Sequence, residues 1–286
     1  MKFYRLILVF FLSINCVFGQ PASENAMLWE VTKKEQSGYI YGTIHISCDA
    51  DLSEQVIQAL DQSNQLVLEV DLSDPTLQMK MMQKMILPNQ KSAADYLTDK
   101  EYDLLKNYIN QNVEMIPGFS LVKSLKPIFL SGLITQSLLT CSSQEGYDKL
   151  LMQHAQQREI SVTGLETIEE QIDVLDQIPV QKVYDEIIES IKDDQKEDRK
   201  MIYEMIRHYK NADLQALKKL LSDADSVIND FSDVALDQRN NKWIPKIKNQ
   251  LSENKPFIGF GAAHLVGENG VIELLRKEGY SVEPVN

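Results

Sequence analysis

The chain has 286 residues, with 29 Lys and Arg against 42 Asp and Glu, a formal net charge of −13 and 43% hydrophobic residues. That length suits one large α/β domain or a domain carrying an insertion. So acidic a surface repels phosphate backbones and anionic lipid, which argues against nucleic acid or membrane surfaces as partners and otherwise serves solubility.

The first 19 residues read as a signal peptide. Lys2 and Arg5 give a short basic start, residues 6–12 are a compact apolar run, and Val17-Phe18-Gly19 fits cleavage before Gln20. Cys16 follows Ser13-Ile14-Asn15, a poor lipobox, so cleavage is expected over lipid anchoring. The run is too short for a comfortable membrane span and no second long one follows. Residues 20–286 are therefore expected as a single exported, soluble domain, periplasmic or extracellular. Of the three cysteines, Cys48 and Cys141 then remain. In an oxidising compartment they are a candidate disulfide; two buried thiols or a metal-binding cysteine are the alternatives.

Residues 28–33 and 38–45 read as a hairpin of two strands turned at Gln36-Ser37-Gly38. A short amphipathic helix is expected over 53–61, and the apolar run 65–71 reads as a buried strand ending in Glu69 and Asp71. Strand, helix and strand in so short a span suggest a βαβ unit. Residues 75–145 read as a helical insertion. Met79, Met81, Met82 and Met85 at helical spacing are expected in the core, with a pliable apolar substrate groove as the alternative. Thr98 and Glu101 form a capping box for a helix to about Asn112, and 120–140 is a further apolar helical stretch. A helix over 147–158 feeds a strand over 160–166 that ends in Glu166. Residues 167–178 open another helix, 181–222 are long, charged and helical, and 233–251 carry Arg239, Asn240 and Trp243. A strand at 257–260, a helix at 267–277 stopped by Gly279, and a strand at 280–285 complete the chain. The fold class is α/β, a mixed central sheet built from two βαβ-like halves.

Two segments end in the same chemistry: Gly42-Thr43-Ile44-His45 and Gly261-Ala262-Ala263-His264, each after a strand-like run containing aromatic residues. Only four histidines occur, so two mounted alike suggest one site assembled by folding. With Glu69 and Glu166 also at strand ends, they converge where open α/β sheets bind ligands. Two imidazoles and two carboxylates suit a divalent ion such as Mn, Co, Zn or Fe, and hence metal-assisted hydrolysis. Either carboxylate is a candidate general base. Structural alternatives stand beside these roles: Glu69 as a partner of Arg239 or a helix cap, Asp71 as a turn residue, Glu166 favouring a helix dipole. His154 and His208 lie inside helical stretches and read as ordinary residues. No G-x-S-x-G, Walker loop or complete G-x-G-x-x-G occurs.

Leu28-Trp29-Glu30-Val31, Tyr41-Gly42-Thr43-Ile44-His45, Leu68-Glu69-Val70-Asp71 and Gly164 to Gln171 carry a resemblance over roughly residues 28–285, with Arg239-Asn240, Trp243, Gly261 to Gly267 and Gly279-Tyr280. The chain resembles the TraB/GumN family, which is similar in fold to erythromycin esterase and ChaN-like proteins. The resemblance to its Tiki branch implies metal-dependent peptide cleavage. It marks His45, Glu69 and His264 as metal-ligand or catalytic candidates, and Glu166, Arg239 and Asn240 as residues of the site wall. Arg239 and Asn240 are expected to bind substrate. The expected function is an exported metal-dependent peptidase acting on a peptide or small-molecule substrate. The alternative is a non-catalytic binding protein that holds a metal, haem or small ligand in the same pocket.

Overall fold

The apolar runs assemble into a six-stranded sheet of order β6-β4-β7-β2-β1-β8, seen in a computed structural model that describes residues 25–141, 143–223 and 230–285. Residues 1–19, read as a signal peptide, lie outside the described residues. The strands are β1 (Leu28–Lys33), β2 (Gln36–Thr43), β4 (Gln65–Val70), β6 (Ser161–Glu166), β7 (Pro256–Gly261) and β8 (Ser281–Pro284). Strands β6, β4, β7 and β2 run parallel, and β1 is antiparallel to both of its neighbours, β2 and β8. A separate two-stranded ribbon joins β3 (Ser47–Cys48) to β5 (Gln144–Glu145).

The fold is α/β with a mixed sheet, as the alternation of runs predicts, but three local expectations change. The hairpin turn is Lys34 and Glu35, with Lys34 at φ +56°, and Gln36 to Gly38 already belong to β2. Gly38 is needed inside the strand: a Cβ there would stand 2.8 Å from Leu251 Cδ2 and from the Pro256 carbonyl. Next, β2 and β4 are not neighbours; β7, from the far end of the sequence, pairs with both and lies between them. Finally, α2 (Leu77–Lys84) buries no residue, and Met79 and Met82 are 56% and 65% exposed. Only part of α2, through Leu77 and Met81, rests on the cluster of Val70, Ile168 and Ile172. Met79 and Met82 are therefore not core, and Met81 is only partly buried.

Helices cover both faces of the sheet. α5 (Tyr147–Gln157) packs Leu151 onto β4 and β7, so closely that a Cβ on Gly259 would meet it at 2.9 Å. α10 (Gln238–Glu253) covers the opposite face with Trp243, Ile247 and Leu251, all fully buried or nearly so. A second core unites α3 (Asp99–Asn112) and α4 (Pro127–Ser137) with α7 (Val180–Lys192), through Leu105, Ile109, Leu130, Tyr184 and Ile187. The charged stretch divides into α7, α8 (Lys196–Lys210) and α9 (Leu214–Asp223), where Asp194, Gln195 and Ala212 adopt positive φ. The remaining helices are α1 (Glu54–Asp61), α6 (Ile168–Leu175) and α11 (Val271–Lys277). No helix of the described residues is long and apolar enough to cross a membrane.

Candidate active site

Because β6, β4, β7 and β2 are parallel neighbours, their carboxyl ends share one sheet edge. That edge carries, in order, Glu166, Glu69, Gly261 followed by His264, and Thr43 followed by His45. It is the edge at which open α/β sheets bind ligands. Glu69, Arg239, Asn240 and His264 are all buried there.

Arg239 ties the group together from α10. Its Nε donates to Glu166 Oε1 at 3.0 Å, and Nη2 donates to Glu69 Oε2 at 2.5 Å and Glu166 Oε1 at 2.6 Å. Its Nη1 donates to the Ala235 carbonyl at 3.2 Å and meets His264 Nε2 at 3.1 Å. A guanidinium has five N–H groups, so every donor is engaged; holding a substrate carboxylate or oxyanion would require releasing one partner. The guanidinium also stands 4.6 Å from the Trp243 ring centroid. Just before α10, residues Asp233–Asp237 are wound as a π-helix, which brings the Ala235 carbonyl under the Arg239 side chain.

The two glutamates differ. Both Glu166 oxygens are committed to Arg239 and to the Trp243 indole N–H, which donates at 3.1 Å. Glu69 Oε2 accepts from Arg239 and from Gln171 Nε2 at 2.9 Å, while Oε1 accepts from the Gly261 amide at 2.8 Å. Burial alone would raise the Glu69 pKa. The opposing charges of His264, Arg239 and His45 and the Gly261 N–H outweigh it and hold the carboxyl down to about 2.

The histidines present the same nitrogen. His264 Nδ1 lies 2.6 Å from Asn240 Oδ1, and the Asn240 amide is fixed by donating its Nδ2 to the Asn269 carbonyl at 2.8 Å. With that orientation His264 donates from Nδ1 and keeps a lone pair on Nε2, 3.9 Å from Glu69 Oε1. Burial, with the neighbouring charge of Arg239, depresses the His264 pKa to about 3, against the pull of Glu69, so the ring is neutral at physiological pH. Asn240 thus orients His264 and, being buried, offers little to a substrate.

His45 lies at the mouth, its side chain 72% exposed, with Nδ1 2.9 Å from Asp148 Oδ2. The hydrogen bond to Asp148 raises its pKa to about 9, against a smaller desolvation effect, and solvent screens this exposed pair. Asp148 also accepts from the buried Thr43 hydroxyl at 2.8 Å. The carboxylate is delivered by the first turn of α5, and α5 is fastened to the His45 loop by Tyr147 N–H donating to the Ile44 carbonyl at 3.0 Å. Gly146 makes this approach possible: a Cβ there would stand 2.3 Å from the His45 carbonyl oxygen. The β3–β5 ribbon and the Cys48–Cys141 disulfide close the same loop.

The structure therefore gathers Glu69, Glu166, Arg239, Asn240 and His264 in one buried cluster and sets His45 at its mouth. Sequence reasoning missed Asp148 and Gln171, whose partners lie about a hundred residues away and leave no local signal. His154 pairs with Asp61 at 2.8 Å and lies outside the cluster.

The donor set fits a divalent ion. Each histidine has Nδ1 held by an oxygen acceptor and Nε2 directed away from it, the arrangement by which outer partners orient metal-binding imidazoles. Among the described residues, however, no three His, Cys, Asp or Glu side chains already surround one point. Arg239 Nη1 would have to leave His264 Nε2.

The sequence profile of the TraB/PrgY/gumN family matches residues 27–284. Metalloprotease TIKI2 of Xenopus tropicalis is 24% identical over 93% of this chain and 61% of its own length. Metalloprotease TIKI1 of Homo sapiens is 24% identical over 94% of this chain and 64% of its own. The chain thus spans less than two thirds of these relatives. Uncharacterized protein YbaP of Escherichia coli (strain K12) is 24% identical over 83% of this chain and 87% of its own length. No solved structure matches.

Proposed function

Because the chain belongs to the TraB/PrgY/gumN family, we propose that it is an exported metal-dependent hydrolase that cleaves peptides. The carrying observation is the matched pair of histidines, each with Nδ1 held by an oxygen, His264 presenting Nε2 3.9 Å from Glu69 Oε1. His45 Nε2, His264 Nε2 and Glu69 Oε1 are the atoms that would hold the ion. A bound Mn, Co, Zn or Fe ion would acidify a water and polarise a peptide carbonyl. Asp148 and Asn240 keep the two rings in register. Glu69 Oε1, bonded only to the Gly261 amide among the described residues, retains a lone pair for the ion or for a proton from water. Glu166 is committed to holding Arg239, so Glu69 is the reacting carboxylate. The Cys48–Cys141 disulfide supports export to an oxidising compartment.

The first experiment measures metal in the purified parent and in a His45→Ala/His264→Ala double variant, followed by cleavage of a mixed peptide library. Stoichiometric metal and metal-dependent cleavage in the parent alone are expected. If neither protein takes up metal after loading with divalent ions, the proposal fails. A non-catalytic binding protein is the competing reading, and the burial of the cluster beneath Arg239 favours it. Metal uptake with no cleavage of any library peptide would select it.

A further inference from the structure

Among the described residues, three N–H groups hold the Glu69 carboxylate, and they are divided unequally between its oxygens. Oε2 accepts from Arg239 Nη2 at 2.5 Å and from Gln171 Nε2 at 2.9 Å, whereas Oε1 accepts from the Gly261 amide at 2.8 Å. A carboxylate oxygen has two lone-pair directions. Both are engaged on Oε2, and one is left on Oε1. Without Gln171 each oxygen would carry one of these donors, and either could turn to an incoming group. Gln171 breaks that symmetry with a neutral amide. A cation in its place would offset the negative charge that an ion or a proton seeks. Glu166 is held differently, because Arg239 Nε reaches both of its oxygens and the Trp243 indole adds a further donor to Oε2.

The local sequence delivers this amide. Strand β6 ends at Glu166, and a capping box starts α6 at once: Thr167 N–H donates to Glu170 Oε2 at 2.9 Å, and Glu170 N–H donates to Thr167 Oγ1 at 3.1 Å. Ile168 and Ile172, one turn apart, are buried against Val70, the residue after Glu69, with Leu77 and Met81 of α2 beside them. Gln171 stands three residues after Ile168 and so shares that side of the helix. Its amide thereby meets the Glu69 carboxylate. The isoleucines hold α6 in place, while Gln171 is only partly buried. The position of the helix therefore does not depend on the Gln171 hydrogen bond.

We propose that Gln171 is a positioning residue of the site: it fixes Glu69 so that Oε1, and not Oε2, is the oxygen offered to a divalent ion or to a proton from water. The inference rests on the metal-dependent hydrolase reading and deepens it. A side chain outside the ligand set selects the reacting oxygen.

The test compares the full domain with Gln171→Met, which keeps side-chain length and helix propensity and removes the donor. Ile172→Val is the control, since it loosens the packing of α6 and leaves the Gln171 amide in place. The first readout is the Gly261 amide resonance in nitrogen–proton NMR, which reports the bond to Glu69 Oε1 and needs no metal. The second is the affinity for Mn or Zn, read by calorimetry. Gln171→Met should shift the Gly261 amide and weaken ion binding roughly 10–100-fold, the usual result of removing a group that orients a metal ligand. On any peptide the parent cleaves, kcat should fall about tenfold or more at unchanged KM, as a misplaced reacting group implies. Ile172→Val should lower the melting temperature and leave the Gly261 amide, ion affinity and kcat as they are. A Gly261 amide that does not move in Gln171→Met, or that moves equally in Ile172→Val, overturns the proposal whether or not metal binds. A parent that binds metal with an affinity Gln171→Met does not weaken overturns it too. If the parent takes up no ion, yet Gln171→Met alone moves the amide, the hydrolase reading falls and the hold of Gln171 on Glu69 is upheld.

Discussion

Arg239 is the residue on which the buried charge depends. Its single positive charge faces both Glu69 and Glu166 where water is excluded. Arg239→Met should cost about 3–5 kcal/mol, the usual result of leaving buried charge uncompensated, as read from urea unfolding. A Glu69→Gln/Arg239→Met double variant should recover part of that loss, because one of the stranded charges is gone. Two histidines set opposite limits on stability with pH. Folded His45 holds its proton to about pH 9, above its unfolded value, so its modest contribution is present below about pH 6.5 and lost as pH rises through 9. Folded His264 refuses a proton until about pH 3, so the unfolded chain binds more protons between 6.5 and 3 and stability falls on acidification across that window. Stability should therefore peak near pH 6.5–7, with the acid limb between 6.5 and 4.5 flattened in His264→Asn. An unchanged acid limb in that variant would contradict a neutral buried His264.

At the scale of elements, the mouth of the site depends on how α5 begins. Gly146 and Tyr147 bring the helix against the His45 loop, and Asp148 in its first turn reaches His45 Nδ1. Gly146→Ala should cost about 1–3 kcal/mol, as overpacking against backbone does, and should shift the His45 ring resonances. Asp148→Asn keeps the helix but removes the charge. The His45 pKa, followed by NMR, should fall from about 9 towards 6.5, and divalent-ion affinity should drop roughly 10–100-fold. A His45 pKa unmoved by this change would show that Asp148 is not its partner in solution. The π-wound turn at Asp233–Asp237 has the corresponding role on α10, supplying the Ala235 carbonyl that fixes Arg239 Nη1.

For the whole molecule, the mixed sheet collects distant segments at one edge, and the disulfide fastens one of them. Cys48 and Cys141 are 93 residues apart, and closing a loop of that order restricts the unfolded chain by about 4.7 kcal/mol. Reduction, or Cys48→Ser with Cys141→Ser, should lower the melting temperature accordingly. The His45–Asp148 arm should loosen before the Glu69–Arg239 cluster, because the ribbon bearing Cys48 starts two residues after His45, whereas the cluster is held by β4, β6, β7 and α10.

Much of this was legible along the chain, because the signals are local. The capping box at Thr98 gives α3, the amphipathic run over 53–61 gives α1, and alternating or continuous apolar runs give the sheet strands within a few residues. Glycine before each strand-end histidine, and a carboxylate at the end of two apolar runs, singled out His45, His264, Glu69 and Glu166 as candidates before any pairing was known. The sequence could not place β7 between β2 and β4, since parallel strands from opposite ends of a chain pair through side-chain packing that no local pattern encodes. Nor could it reveal that Arg239 would spend all five donors on two glutamates, a carbonyl and His264, or that Asp148 would meet His45. It favoured a core role for the methionines of α2, yet only the packing of α2 on α6 decides which face is buried. Residue type and spacing determine which elements form and which side chains are candidates for chemistry. Desolvation and long-range pairing, which exist only in the folded molecule, decide which of those side chains meet and which proton each one holds.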